Sequence, residues 1–170
     1  MGMRYLVFSD LHGSRLGLNR LMAAVLTEEP DVLICLGDIL FGAYDGAMSE
    51  CIDYLSSSSI PVIAVKGNCD RSSDGALIHA ALPEEQILFF KGHRMLLRHV
   101  PFYHHFQSGD IAMCGHTHCK NLYLDGGVIY LNPGSIGKPR DGEAGYAIID
   151  DSGIYLKSAE TFATLEYLPI

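Results

Sequence analysis

The chain has 170 residues, of which 48% are hydrophobic and 19% are charged, and its formal net charge at pH 7 is −8. This length is typical of one domain with a sizeable buried core, and the low charged fraction favours a large core or an apolar surface covered in a homo-oligomer, a dimer or tetramer. An acidic chain without a Lys/Arg cluster is a poor partner for long nucleic acid, because such binding rests on neutralising phosphates.

The first half of the chain alternates between short apolar runs and helix-like stretches. Continuous apolar runs, typical of strands buried on both faces of a parallel sheet, lie at 5–8, 32–36 and 60–65. Helices are predicted over 14–29, with Ser14 as N-cap, and over 45–57. The side chains predicted to form the apolar face of the first helix are Leu16, Leu18, Leu21, Met22 and Val25.

The second half consists of short strands joined by tight turns. Hairpin signals such as Asp125-Gly126-Gly127 separate strands predicted at 86–90, 94–98, 110–114, 121–124, 127–131, 146–149 and 154–156. The sequence contains no internal repeat and no linker. We therefore expect a single α/β domain over residues 1–170 with two sheets, the second more antiparallel.

The N-terminal segment and the cysteines bear on the cellular compartment. Only Met1 to Arg4 precede the first apolar run, which leaves too little for a signal peptide or a membrane span. Five cysteines, an odd number without a disulfide framework, predict reduced thiols. We expect a cytoplasmic protein that does not bind a membrane.

Residues able to bind a metal follow five of the predicted strands. These candidate ligands are Asp10, His12, Asp38, Asn68, His99, His116 and His118. Functional side chains of α/β proteins gather outside the carboxyl ends of the strands. Each residue alone has an ordinary explanation, such as a turn for Asp10, but seven such placements together predict a metal site.

The chemistry of the donors indicates the metal. Two carboxylates, one amide and four imidazoles form a mixed oxygen and nitrogen set that suits Mn²⁺, with Fe, Zn²⁺ and Ni²⁺ as alternatives. Seven donors are too many for one tetrahedral ion and suit two divalent ions that share a carboxylate. A small Cys/His zinc cluster around Cys114 and Cys119 is a further alternative.

The order and spacing of these residues resemble a known family. The set comprises DxH (10–12), GD (37–38), GNxD (67–70), the strand-terminal His99, GHTH (115–118) and NPGS (132–135). It is similar to the calcineurin-like metallophosphoesterase superfamily, specifically to its small single-domain phosphodiesterases of the YfcE type. The resemblance implies an α/β fold, a four-layer α-β-β-α sandwich of two mixed sheets flanked by helices.

The resemblance also implies a ligand distribution and a mechanism. One divalent ion would be held by Asp10, His12, Asp38 and His118. The second, bridged by Asp38, would be held by Asn68, His99 and His116. A hydroxide bridging both ions would attack a small phosphodiester in line, while the cations neutralise the developing charge. The residues implied in catalysis are Asn68, Cys69 and His99.

Two positions depart from the family pattern. Val-Pro follows His99 where relatives usually have glycine, so His104 or His105 is an alternative ligand, and we retain His99 because it ends an apolar strand. Cys69 stands where many members carry a histidine that assists the leaving group. We interpret Cys69 as leaving room for the second substituent of a diester, with a weakly acidic role as the alternative.

Residues around the candidate ligands are given supporting roles. Asp70 is predicted to orient a neighbour through a hydrogen bond. The loop that begins at Pro133-Gly134-Ser135 is expected to close over the metals, with Lys138 or Arg140 meeting a phosphate oxygen.

Two further functions remain alternatives to a phosphodiesterase. The retromer subunit of the same fold acts mainly as a protein-interaction scaffold, but it departs from the histidine set that is complete in this chain. A nuclease is the third possibility, and the lack of basic patches disfavours it.

Overall fold

The computed structural model describes residues 2–43, 45–101 and 105–170. The helices in these residues are α1 (Arg15–Glu28), α2 (Met48–Ser56) and α3 (Asp74–Leu77). The strands are β1 (Tyr5–Phe8), β2 (Val32–Cys35), β3 (Val62–Ala64), β4 (Glu85–Phe90), β5 (His93–Arg98), β6 (Ile111–Met113), β7 (Lys120–Asp125), β8 (Val128–Pro133), β9 (Gly145–Asp150), β10 (Gly153–Ser158) and β11 (Thr164–Pro169).

The strands form two mixed sheets. The first has the order β11-β10-β9-β1-β2-β3 and the second the order β4-β5-β6-β8-β7. Parallel pairing joins β1 to β2 and β2 to β3, and in the second sheet it joins β5 to β6 and β6 to β8. The three apolar runs of the first half are therefore parallel strands, and the predicted fold class of two mixed sheets flanked by helices is confirmed.

The core divides into two layers because side chains alternate between the faces of each strand. Val7 and Ile34 point between the sheets, where they meet Met95, Met113 and Leu131. The intervening side chains of β1 and β2 point the other way, towards α1 and α2. Each large aliphatic side chain buried in these layers contributes about 1.5–3 kcal/mol.

Helix α1 lies close to its predicted position. Its N-cap is confirmed, because the Ser14 hydroxyl accepts a hydrogen bond from Gly17 N at 3.0 Å. The prediction that Leu16 and Met22 are core residues is wrong, since they are 52% and 46% exposed. The buried stripe follows residues 18, 21, 24 and 28, and at 100° per residue Leu16 falls on the opposite side of the helix.

Two elements were missed at the sequence level. Strand β11 is an edge strand whose side chains are mostly exposed, so it lacks the alternation that marks a half-buried strand. Helix α3 is a single turn. Within the described residues α1 and α2 pack on the first sheet, no helix covers the outer face of the second sheet, and none has the length and apolar character needed to cross a bilayer.

Candidate metal centre

The seven candidate ligands lie at the edge where strands of both sheets end. Those of the first sheet follow β1, β2 and β3, and those of the second follow β5 and β6. Because strands within each group run in parallel, their carboxyl ends face the same edge and bring the following loops together. The sheet topology therefore brings residues 10 and 118 into contact across more than half of the chain.

The backbone at these positions is unusual. Left-handed φ angles occur at Asp10 (54°), His12 (55°), Asp38 (54°), His116 (66°) and His118 (61°). Such a conformation costs a residue with a side chain on the order of 1–3 kcal/mol and persists only where the surroundings enforce it. Hydrogen bonds from Asp10 N to Gly37 O (3.0 Å) and from His12 N to Asp38 O (2.9 Å) join the two loops and help to enforce it.

Three of the imidazoles are oriented by backbone carbonyls. The Nδ1 atoms of His12, His99 and His118 lie 2.7, 2.6 and 2.6 Å from the carbonyl oxygens of Phe41, Leu36 and Lys138, respectively. A carbonyl only accepts hydrogen bonds, so each Nδ1 carries the proton. In the neutral ring each Nε2 then presents a lone pair to the centre, as a metal ligand requires.

The free imidazole nitrogens converge on the two carboxylates. Asp10 Oδ1 is 3.1 Å from His118 Nε2 and 3.6 Å from His12 Nε2, while Asp38 Oδ2 is 3.3 Å from His99 Nε2 and 3.8 Å from His12 Nε2. The Nε2 atoms of His12 and His118 are only 3.3 Å apart. Two lone pairs at that separation repel each other unless a cation or a proton lies between them.

Asp10 supports the fit of a cation to this centre. Its Oδ2 accepts hydrogen bonds from the Ser9 hydroxyl (2.7 Å) and from His116 N (3.0 Å). Its Oδ1 is fully buried and, among the described residues, accepts no well-formed hydrogen bond. A buried ionised oxygen without a partner is costly, and a bound cation would remove that cost.

Asp38 belongs to two of the three groups of potential donors found among the described residues. Asp10, His12 and His118 form the first group, Asp10, Asp38 and His99 the second, and His12, Asp38 and Cys69 the third, each with its donor atoms within 4.8 Å of one another. The second carboxylate oxygen, Asp38 Oδ1, accepts from Cys69 N at 2.8 Å. The carboxylate is thus held in place through one oxygen while the other faces the imidazoles.

Asn68 and His116 complete the constellation on its exposed side. Asn68 Oδ1 lies 3.1 Å from His99 Nε2 and 2.8 Å from His116 Nδ1. The rings of His99 and His116 meet edge to face with centroids 5.2 Å apart. All seven candidate ligands are therefore brought together in one centre.

The charges of the centre shift the pKa values of its members in opposite directions. Burial alone would raise the pKa of Asp10, but His118, His12 and Ser9 hold it far below its usual range. The pKa of Asp38 is lowered in the same way, by His99 and the Cys69 amide against the effect of burial. Burial opposes protonation of His12 and His99, yet the neighbouring carboxylates raise the pKa of both. The centre therefore attracts protons or other cations.

Asp70 has the orienting role predicted for it. Its buried carboxylate accepts three backbone hydrogen bonds of 2.8 Å, from the N–H groups of Asp38, Ile39 and Gly67. Gly67 packs closely here, since a Cβ atom at that position would lie 2.1 Å from Asp38 Oδ1. These contacts tie the loop after β3 to the loop after β2 and position Asp38.

Cys114 and Cys119 do not form the alternative zinc cluster in the described residues, whereas the Cys69 sulfur lies within 4.8 Å of donor atoms of His12 and Asp38. Cys69 is exposed as a residue, but its sulfur is partly buried. This partial burial, together with the charge of Asp38, raises the pKa of the thiol to about 11, so the thiol is protonated at neutral pH. The pKa of Cys114 is also raised to about 11, mainly by burial. Across the described residues neither Cys114 nor Cys119 joins a group of metal-binding side chains.

The loop that follows β8 contacts the backbone of Asp10. The Ser135 hydroxyl donates to Asp10 O at 2.8 Å, and Gly137 N donates to the same oxygen at 3.2 Å. Lys138 Nζ donates to Gly42 O at 2.6 Å, and the Arg140 side chain is exposed. The alternative ligand His105 lies with Ile87 and Leu96 on the outer face of the second sheet, whereas His104 lies outside the described residues.

Some supporting groups carry no sequence signal. The carbonyls of Leu36, Phe41 and Lys138 orient the imidazoles, but a carbonyl belongs to every residue and only the fold selects these three. Asn132, part of the NPGS motif, donates to Gly115 O at 2.8 Å and braces the GHTH loop.

Comparisons with known proteins agree with this geometry. A family model described as the calcineurin-like phosphoesterase superfamily domain matches residues 3–152. Phosphodiesterase YfcE of Escherichia coli is 29% identical in an alignment 163 positions long, and the match covers 88% of each chain. A solved structure of that E. coli phosphoesterase superposes with a TM-score of 0.87 at 25% identity, covering 99% of this chain and 100% of the other. A Vps29 structure from Entamoeba histolytica has a TM-score of 0.70 at 21% identity, with 99% of each chain covered, and shows the shared fold alone.

Proposed function

The chain belongs to the calcineurin-like phosphoesterase superfamily, and from this premise we propose that it is a phosphodiesterase that hydrolyses a small phosphodiester at a dinuclear metal centre. The predicted family and the predicted class of enzyme, a phosphoric diester hydrolase, are confirmed by the family match and by the phosphodiesterase relative. The family is one of metal-dependent phosphoesterases. The number of ions, the metal and the diester are the parts that we propose.

The convergence of three imidazole Nε2 atoms on two carboxylates, one of which has a buried oxygen without a well-formed hydrogen bond, carries the proposal. His12 and His118 face Asp10 Oδ1, and His99 faces Asp38 Oδ2. We assign one ion to Asp10, His12, Asp38 and His118. We assign the second to Asp38, Asn68, His99 and His116. Mn²⁺ suits this mixed donor set best, with Fe, Zn²⁺ and Ni²⁺ as alternatives.

Two divalent ions supply, when bound, an activated water and compensation for the negative charge that develops on phosphorus. The protein's own groups orient the proposed ligands and leave a path for the phosphate. The carbonyls behind His12, His99 and His118 hold each ring in one tautomer, and Asn68 and His116 lie on the exposed side, where a phosphate arrives. The backbone N–H of Cys69 donates to Asp38 and so holds this carboxylate in place. The protonated Cys69 thiol is smaller than the histidine that many family members carry at this position, so it leaves more room beside Asn68.

The proposal includes the predicted substrate class and the predicted cellular compartment. A small phosphodiester in the cytoplasm is the expected substrate, and all five cysteines are free thiols, which supports a reducing compartment. The homo-oligomer and the absence of a nucleic-acid partner stay predictions.

Metal content and turnover test the proposal together. Purified protein should hold about two transition-metal ions per chain and hydrolyse a bis-aryl phosphodiester with Mn²⁺. Asp38→Ala should lose both ions and the activity, because one carboxylate serves both. The control is Asp110→Asn, since that buried carboxylate pairs with Arg94 at the other end of β6. No metal uptake and no turnover with any divalent ion would support the scaffold instead, and full activity in Asp38→Ala would exclude the shared carboxylate.

A further inference from the structure

The outer face of the second sheet carries one apolar row across all five strands. The register aligns Ile87 with Leu96, Leu96 with Ala112, Ala112 with Tyr130 and Tyr130 with Tyr123. In the part of the chain that the structure describes, no helix covers this row. Leu96 and Ala112 in the middle of the row are buried, whereas Ile87 and Tyr123 at its two ends are 47% and 49% exposed, so the ends of the row are open to other occupants.

A cavity of about 360 Å³ lies over the β8–β7 end of this row. That volume is in the range of small-molecule sites. We call it the tyrosine cavity, and it is lined by the aromatic residues Phe106, Tyr123 and Tyr130 together with Pro101 and Ala112. The rings of Tyr123 and Tyr130 are stacked, with centroids 5.0 Å apart and an interplanar angle of 14°, and Phe106 meets Tyr130 edge-on at 5.7 Å. Because Tyr130 is covered by these two neighbours while Tyr123 is 49% exposed, Tyr123 is the ring on which another flat ring can stack.

Polar groups flank this aromatic surface. Asn121 and Asp125 lie on the same face of β7 as Tyr123 and also line the cavity. Neither side chain hydrogen-bonds to a described residue. A carboxamide offers both a donor and an acceptor, and a carboxylate accepts from an amino group. The ring that best uses these groups is a nucleobase with an exocyclic amino group, since an alkyl group would leave both unpaired.

The tyrosine cavity adjoins the candidate metal centre. Its rim includes Thr117, which stands between His116 and His118. Asn132 donates to Thr117 Oγ1 at 3.0 Å and so fixes the rim to the second sheet. Consecutive Cα atoms are about 3.8 Å apart, so this rim residue directly adjoins two of the proposed metal ligands.

We propose that the tyrosine cavity binds the base of a nucleoside ester whose phosphate lies at the metal centre. Tyr123 stacks on the base, and Asn121 and Asp125 hydrogen-bond to its polar edge. The inference rests on the proposed function for the position of the phosphate, and it adds the class of substrate, a nucleotide-derived diester.

Binding of AMP and of ribose 5-phosphate to the Mn²⁺-loaded protein tests this assignment, because the two differ only in the base. Calorimetry should show tighter binding of AMP. Tyr123→Ala should weaken AMP binding by roughly 5- to 100-fold, the effect of losing one stacked base, without changing the affinity for ribose 5-phosphate. Tyr123→Phe should retain the preference for AMP, and Asn121→Leu should reduce it.

The matched control is Tyr167→Ala. Tyr167 is 46% exposed and pairs with Tyr155 at 4.8 Å on the first sheet, whereas Tyr123 is 49% exposed. Tyr167→Ala should change neither affinity. Equal affinities for AMP and ribose 5-phosphate, or equal losses in both tyrosine variants, would overturn the assignment. Base-dependent binding without hydrolysis of any diester would instead refute the proposed function alone, and diester hydrolysis without a base preference would refute only the tyrosine cavity.

Discussion

Removing the Asp70 carboxylate should damage both stability and metal binding. Asp70→Ala would leave three buried N–H groups, those of Asp38, Ile39 and Gly67, without their 2.8 Å partners. Each unsatisfied buried donor costs about 1–3 kcal/mol. Burial of Asp70 raises the pKa of its carboxyl, which shows that the fold disfavours its ionised form, so losing that charge offsets part of the cost. We expect a net loss of about 3–5 kcal/mol, a large fraction of the roughly 5–15 kcal/mol of a typical domain.

Urea unfolding of the metal-free protein at pH 7 measures the loss of stability. Titration with Mn²⁺ measures the loss of metal affinity that follows when Asp38 is no longer held in position. Because Asp70 orients a proposed ligand, the folded variant should bind Mn²⁺ about 10- to 100-fold more weakly. The control is Asp74→Ala, since that buried carboxylate accepts from Arg71 N at 2.7 Å in the same loop, with no hydrogen bond to Asp38. It should lose about 1–2 kcal/mol and keep its metal affinity. A loss below about 1 kcal/mol in Asp70→Ala, or unchanged Mn²⁺ affinity, would refute the reasoning.

Two further predictions concern catalysis and pH. Cys69→Ala should keep most diesterase activity, because the raised pKa leaves the thiol protonated, and Cys69→His should increase activity on monoesters. The kcat/KM values for a bis-aryl diester and an aryl monoester measure both effects, and a large loss in Cys69→Ala with metals still bound would show that the thiol takes part. In the metal-free protein the carboxylates raise the pKa of His12 and His99 despite burial, so protons compete with a metal for these rings. Mn²⁺ affinity should therefore fall as the pH is lowered, beginning above the ordinary histidine pKa of about 6.5, and a pH-independent affinity would contradict the ligand set.

Local patterns in the sequence were sufficient for most of the elements. Continuous apolar runs mark β1 and β2 because both faces of these strands are buried, and they mark the edge strand β3 because its side chains are partly or fully buried. The same logic fails for β11, whose edge position leaves its side chains in solvent. It also fails for Leu16, because an apolar residue outside the buried stripe of α1 looks the same in the sequence as one inside it.

The sequence alone determined which side chains belong to the candidate centre, because each follows an apolar strand and parallel strands deliver their carboxyl ends to one edge. It also indicated the supporting role of Asp70. Only the tertiary structure decided how these groups act. The carbonyls that set the imidazole tautomers, the left-handed backbone at Asp10 and Asp38, and the row of side chains leading to Tyr123 all depend on contacts between distant segments. Such contacts form only when the two sheets pack together, so they cannot be read from residue types and spacing along the chain.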